Sequence, residues 1–467
     1  MPQLMRCLYC GLLQDEPAGV KSCARCGGEL GYESMPTSDE RSSYVSVQME
    51  LDQITAPSGQ NCDRYLMVTL RTPAQVPAEQ AAPTQSGRPP LNFCAILDVS
   101  GSMQGEKITQ AKEAVRQTLN HLREGDVFSL VTFSSDVRAV FEPRLVDSHT
   151  RRVVESALQE IQAGGMTALD GGLALGLEKI ASRKEETNLA LLLSDGQANV
   201  GETDLEKVGQ RGYAARQQGV IVSTLGVGLD YNEALMVEIA TQGGGRFYHL
   251  HSAGQIAVFL AGELGEVTSL AARETTLQLD LPPGATLVPL SSAYLAEQSG
   301  GRASVVIGDI PSDTELEIPL RLTLPAQSPG TKLSIEGSLQ YRSPAGNLLH
   351  TRLNRVTVRF VKKAIFKLRD GIVLPVAERV FEQMKAASVL RVSRAYAMNA
   401  VDGQRQSEER LAAMHEYAVK LGDERAVEEM KIAEQSFGFM ASSPSAAKAA
   451  VADAFSKQRS AKDFDKK

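Results

Sequence analysis

Leu91-Asn92-Phe93-Cys94-Ala95-Ile96-Leu97-Asp98-Val99-Ser100-Gly101-Ser102 is the stretch on which the fold turns. Its first eight residues form a short, nearly continuous apolar run, the pattern of a strand buried on both faces of a parallel sheet. The run ends in Asp98, and residues 98, 100 and 102 then alternate through a tight loop, which can turn one carboxylate and two hydroxyls toward a common point. In open parallel sheets ligands bind beyond the carboxyl ends of the strands. Hard oxygen donors of low total charge suit Mg²⁺ or Mn²⁺ better than zinc. Taken singly, Asp98, Ser100 and Ser102 also make good helix N-caps.

Outward from this stretch, FSLVTF (128–133), NLALLLSD (188–195) and VIVSTLGVG (220–228) repeat the short apolar run. Helical patterns separate them; in the first, Ile108, Ala111, Val115, Leu119 and Leu122 recur at helical spacing. Residues 91–268 therefore read as a doubly wound, Rossmann-like α/β domain. Asp-x-Ser-x-Ser after the first strand resembles the metal-ion-dependent adhesion site of von Willebrand factor A (VWA) domains. Two later loops continue the resemblance in order: GGMTALDGG (164–172) supplies Thr167, and LLLSDGQANVG (191–201) supplies Asp195. The resemblance implies that Asp98, Ser100, Ser102, Thr167 and Asp195 hold one divalent ion, Mg²⁺ or else Mn²⁺ or Ca²⁺. One coordination position would stay open for an acidic side chain of a partner protein. It also permits a shift of the last helix of the domain, roughly 252–268, when that ligand binds. Read without it, Asp195 before Gly196 is compatible with a simple turn. After Ser102 the chain runs Met103-Gln104-Gly105-Glu106, without the adjacent acidic pair of domains that carry a second regulatory metal. A single ion is expected, with Glu106 as the one candidate for a weaker auxiliary site.

The flanking sequence is organised differently. Cys7-x-x-Cys10 and Cys23-x-x-Cys26, each followed by glycine, read as an N-terminal zinc ribbon over 1–30 with a structural Zn²⁺. Two disulfides or free thiols are the alternative. Cys62 and Cys94 stand alone, Cys94 as a buried, inert thiol. Val45, Val47, Met49 and Leu51 alternate with Ser46, Gln48, Glu50 and Asp52, a strand with one buried and one polar face. With a second strand near 65–71 it forms the first part of a β-sandwich (43–72), followed by a Pro- and Ala-rich linker (73–90) with little to bury. Strands return over 270–362. In ELEIPLRLTL (315–324), Leu316, Ile318, Leu320, Leu322 and Leu324 share one face, and this segment is expected to complete the sandwich around the inserted α/β domain. Val376, Val380 and Met384 mark the first helical stripe of a helical region (365–458), and 459–467 reads as a solvated tail. This arrangement, with LLLSDGQANVG and STLGVGLDYNEALMVEIATQGGGRFYHL (223–250), resembles bacterial VWA proteins in which a sandwich surrounds the domain and helices follow it.

Composition narrows the function. A net charge of −7 argues against a nucleic-acid partner. No apolar run reaches the about 20 residues of a membrane helix, and no signal segment opens the chain, so a cytoplasmic protein is expected. A Gly-x-x-x-x-Gly-Lys-[Ser/Thr] loop and a His-Glu-x-x-His motif are both missing. A phosphatase of the haloacid-dehalogenase kind would need an Asp where Ser100 stands. His249 and His251 read as an exposed strand-end pair without function. The expectation is a metal-dependent adhesion or adaptor protein and not an enzyme, docking an acidic protein ligand, with an AAA+ ATPase or a multi-protein assembly as the kind of partner the resemblance implies. A scaffold in which the ion only rigidifies a loop is the alternative, and a Mg-dependent phosphatase the least supported.

Overall fold

The structure is a computed structural model. It describes residues 43–77, 80, 90–185, 187–228, 230–250, 269–422 and 444–459, parts of 255–265 and 430–438, and the backbone of 3–7, 13–16 and 30–32. The last set forms a three-stranded antiparallel sheet: β1 (Gln3–Cys7) pairs with β2 (Leu13–Glu16) and with β3 (Leu30–Tyr32). Cys7 ends β1, whereas Cys10, Cys23 and Cys26 lie outside the described residues, as do His251, most of 252–268 and the 460–467 tail.

The long apolar runs form one six-stranded sheet. Five strands are parallel: β7 (Leu91–Asp98), β8 (Val127–Phe133), β10 (Thr187–Ser194), β11 (Val220–Val227) and β12 (Gly244–Leu250). Antiparallel β9 (Val137–Leu145) closes one edge, giving the order β12-β11-β10-β7-β8-β9. Every residue of β7 is buried, as the run of apolar residues demands, and its two-residue period sorts them between two faces. Phe93, Ala95 and Leu97 pack with Ala111, Val115 and Leu119 of α1 (Glu106–His121). Cys94 and Ile96 pack with Leu169, Leu173 and Ile180 of α3 (Leu169–Ser182), which follows α2 (Ser148–Glu160). Burial pushes the Cys94 thiol up to about 12, so it is inert at neutral pH. The glycines of GGMTALDGG divide their work. Gly172 sits inside α3, where an added Cβ would lie 2.5 Å from the Phe133 ring, so it sets how closely the helix meets the sheet. α4 (Leu205–Gln217) and α5 (Glu233–Gln242) complete the connections.

Two further sheets share a second core. β4 (Ser46–Leu51) and β6 (Cys62–Arg71) join β14 (Thr286–Pro289) and β17 (Glu315–Leu324) in the order β14-β17-β6-β4. The other sheet runs β15 (Leu295–Ser299), β16 (Arg302–Pro311), β13 (Leu270–Asp280), β18 (Lys332–Arg342), β20 (Val356–Val361) and β5 (Thr55–Pro57), with β19 (Leu348–Arg352) also on β18. Leu316, Ile318, Leu320, Leu322 and Leu324 all face the core between them, beside Met49 and Leu66 from one sheet and Leu277 and Val305 from the other. The stretch after β6 is not wholly loose: Gln80 is buried, its Oε1 accepts from Asn347 Nδ2 at 3.0 Å and its carbonyl from Ala345 N at 3.1 Å.

The polar face of β4 departs from expectation at one residue. Ser46 and Gln48 are exposed, but Asp52 is completely buried. Helices α6 (Leu374–Met398) and α7 (Ala400–Leu421) cover this side. Val376, Val380 and Met384 turn into the core as their spacing requires. Arg379 reaches Glu50 at 2.6 Å and Glu317 at 2.9 Å. Lys420 Nζ meets Asp52 Oδ2 at 2.6 Å, Tyr417 Oη donates to the same oxygen at 3.1 Å, and Tyr65 N donates to Oδ1 at 2.8 Å. The last described helix, α8 (Pro444–Arg459), returns to the α/β sheet. Its Lys448 Nζ donates to the Tyr231 carbonyl at 2.6 Å, and its Phe455 ring packs on Phe247.

Lys420 and Asp52 are both buried, so removing one strands the other. Asp52→Ala is expected to cost about 3–5 kcal/mol in urea unfolding. The double variant Asp52→Leu/Lys420→Met is expected to recover most of that loss; equal losses in both would show that the pair is not what ties α7 to the sheet.

Candidate metal centre

Three loops meet at the carboxyl end of the α/β sheet, between β7 and β10, where the connections leave in opposite directions and a crevice opens. The first follows β7. Asp98 is completely buried; its Oδ1 accepts from Ser100 N at 2.8 Å and its Oδ2 from Ser194 Oγ at 2.5 Å. Neither Asp98 nor the serines act as helix caps. Ser100 precedes a single 3₁₀ turn (Gly101–Met103) without a side-chain cap bond, and the N-cap of α1 is Gly105. Ser102 Oγ donates to Asp195 Oδ1 at 2.7 Å and lies 3.0 Å from Ser100 Oγ, so with its own proton committed it accepts from Ser100.

The second loop carries Thr167 just ahead of α3. Gly101 N donates to the Gly165 carbonyl at 3.0 Å and Gly164 N to the Val99 carbonyl at 2.8 Å, tying it to the first loop. Gly165 has φ +88°, and a Cβ there would sit 2.8 Å from Ser135 Oγ, so only glycine serves. The third loop follows β10 and clamps the second: Thr167 N donates to Asn199 Oδ1 at 2.8 Å, and Asn199 N returns to the Thr167 carbonyl at 3.1 Å. Gly196 measures the convergence. A Cβ at that residue would lie 3.1 Å from Ser102 Oγ, 3.4 Å from Thr167 Oγ1 and 3.9 Å from Asp98 Oδ2. Oxygens of the first two loops thus close on the third, whose Asp195 is hydrogen-bonded to Ser102. Ser100, Thr167 and Asp195 are buried with Asp98, while Ser102 is exposed at the mouth.

Two buried carboxylates in one crevice favour a nearby cation. Burial is the main cause that raises the pKa of Asp98; the hydrogen bonds from Ser194 and Ser100 oppose it, and Asp195 adds repulsion. Lys107, in the first turn of α1, supplies such a cation: its Nζ contacts Asp195 Oδ2 at 2.5 Å. Lysine is unfavourable at a helix N-terminus, and that misplacement is the sequence signal for a site role. Asn199 gave a weaker signal, being one more polar residue of LLLSDGQANVG. Glu106 is exposed. No group of three or more His, Cys, Asp or Glu side chains able to hold a metal occurs among the described residues. This centre has two carboxylates and three hydroxyls, a donor set that fits a hard divalent ion. His249 is not the exposed histidine expected: it is buried, and its Nδ1 lies 2.7 Å from Tyr231 Oη.

Residues 92–261 match the family model of the von Willebrand factor type A domain, so the chain carries a domain of that class. A Synechocystis relative, uncharacterized protein sll0103, is 26% identical over 307 residues, 64% of this chain and 72% of its own length. Against further relatives at 27–28% identity the match spans less than half of their length. Among solved structures, the von Willebrand factor type A protein from Catenulispora acidiphila superimposes with a TM-score of 0.60 at 17% identity, covering 84% of this chain and 90% of that one. The ArnB paralog VWA2 from Sulfolobus acidocaldarius gives a TM-score of 0.54 at 20% identity over 89% of this chain and 99% of that one. These two likenesses show a shared fold.

Asn199→Ala removes the acceptor that fixes the Thr167 amide. In hydrogen–deuterium exchange that amide is expected to exchange about tenfold faster or more, the equivalent of one lost buried hydrogen bond. The amides of β7 and β10 should be unaffected; unchanged exchange at Thr167 would mean that the loop is held by other contacts.

Proposed function

We propose that the chain is a metal-dependent protein-binding protein, in which Asp98, Ser100, Ser102, Thr167 and Asp195 hold Mg²⁺ (or Mn²⁺ or Ca²⁺) and the ion accepts an acidic side chain from a partner. The carrying observation is the convergence of oxygens from the first two loops on Gly196 of the third, whose Asp195 accepts from Ser102. Bound there, the ion would supply an electrophilic point at the protein surface. Charge counting gives that point its preference. Asp98, Asp195 and Lys107 sum to −1, and a divalent ion takes the total to +1, which favours an incoming carboxylate. Ser102 lies at the solvent-facing side of the centre, and Met166, next to Thr167, is 50% exposed, an apolar contact for the rim of an interface. VWA domains generally mediate protein–protein interactions, and the wider reading follows that habit: an adaptor, not an enzyme, for an AAA+ ATPase or another multi-protein assembly. Domain boundaries are proposed with it: a zinc-holding segment (Cys7, Cys10, Cys23, Cys26) over 1–30, and a β-sandwich (43–72 with 270–362) into which the α/β domain (91–268) is inserted and on which the helices of 365–458 pack. No described helix is long and apolar enough to cross a membrane, and a cytoplasmic location is part of the proposal.

Lys107 holds Asp195 and so would compete with the ion for it. In calorimetric titration with Mn²⁺, Lys107→Met is expected to bind about tenfold more tightly, about 1.4 kcal/mol of relieved repulsion, and Asp98→Ala to lose binding at this centre. Capture of a partner in Mg²⁺ should disappear in Asp98→Ala with the circular dichroism spectrum unchanged. Capture that survives both that variant and chelation would instead support a scaffold whose ion only stiffens a loop.

A further inference from the structure

A cavity of about 410 Å³ lies where α5 of the α/β domain meets α6 and α7, and no residue of the metal centre lines it. Charged side chains line it from all three helices, and most of them are accounted for. Arg394 is 3.4 Å from Glu206 and 3.5 Å from Glu238, and Asp402 is held by Arg405 at 2.7 Å along its own helix. Arg391 and Arg410 are left over. Arg391 Nη2 donates to the Leu290 carbonyl at 3.2 Å, but the charges that act on its guanidinium are those of Arg410 and Arg321, both cations. Burial pushes its pKa below the ordinary arginine value, and the two cations add to that. Among the described residues, Arg410 Nε is buried without a hydrogen-bond partner. Two guanidinium groups that repel each other, one with an unsatisfied buried donor, are a costly arrangement for an empty cavity. An oxyanion between them would satisfy the donor and cancel the repulsion through charge-assisted, fork-like bonds. Leu290, Ala387, Leu390 and Met398 provide apolar wall for the rest of such a molecule.

We infer that this cavity binds a small oxyanion-bearing molecule, a phosphate or carboxylate compound, between Arg391 and Arg410. The site joins α5, which belongs to the α/β domain, to the C-terminal helices, so occupancy would strengthen that junction.

The test is thermal unfolding of the full chain in metal-free buffer with inorganic phosphate, pyrophosphate or succinate, each against chloride at matched ionic strength. The wild type should show a saturable rise in Tm of about 2 °C or more in at least one of the three. Arg410→Met should melt in chloride at the same temperature as the wild type or higher, because it removes the repulsion, and should gain nothing from the anion. Arg410→Lys, which keeps the charge and loses the fork, should respond partially. A response to phosphate and pyrophosphate alone assigns a phosphate ligand, and an equal response to succinate a carboxylate. A wild-type curve that follows chloride overturns the proposal. So does a response retained in full by Arg410→Met and Arg391→Met, since exclusion of the anion from the protein surface acts without these residues.

Discussion

Asp98 and Asp195 stand at the ends of neighbouring parallel strands, both completely out of contact with solvent, and their mutual repulsion has to be relieved where they are. Burying two like charges in one crevice is among the more expensive things a fold can do. The surroundings answer it in layers. The Ser194 hydroxyl and the Ser100 amide donate to Asp98, Ser102 donates to Asp195, and Lys107 places a cation on the remaining oxygen. These contacts leave the centre with a residual negative charge, which is the condition for holding a divalent ion and for retaining a positive field once it is held.

The rest of the α/β domain serves to hold that geometry. β7 and β10 are buried on both faces, so their ends cannot drift apart without disturbing two cores at once. Gly172 and Gly176 let α3 lie directly on the sheet, which fixes the start of that helix and with it Thr167. Asn199 and Gly165 then lock the second loop to its two neighbours. Beyond the domain, the four-stranded sheet of the second core is tied to the C-terminal helices by Asp52–Lys420 and Arg379–Glu50, and α8 returns to β12 through Phe455 and Phe247. The helices therefore touch both parts of the molecule, and the arginine-lined cavity sits at that junction.

Much of this was legible in the sequence because it depends on local period. The apolar runs ending at Asp98 and Ser194 and the alternation through Leu316–Leu324 each report which faces are buried, and the structure buries those faces. The loops of the centre were legible because their donors lie at strand ends or in short contiguous motifs. What escaped depends on chain segments far apart in sequence. Asp52 reads as the exposed face of a strand until α7, with Lys420, closes over it. His249 reads as a strand-end histidine until Tyr231 covers it. Lys107 belongs to a helix that starts after the motif, and its reach to Asp195 follows from how α1 leaves the loop. Arg391 and Arg410 lie on different helices, and nothing in either helix alone brings them to one cavity.

The central claim, that these loops form a centre for a hard divalent ion, is met most directly by anomalous diffraction from crystals grown with Mn²⁺. The account predicts one anomalous peak bounded by Asp98, Ser100, Ser102, Thr167 and Asp195, with Lys107 displaced from Asp195. A structure without that peak, in which Lys107 still holds Asp195, would contradict it.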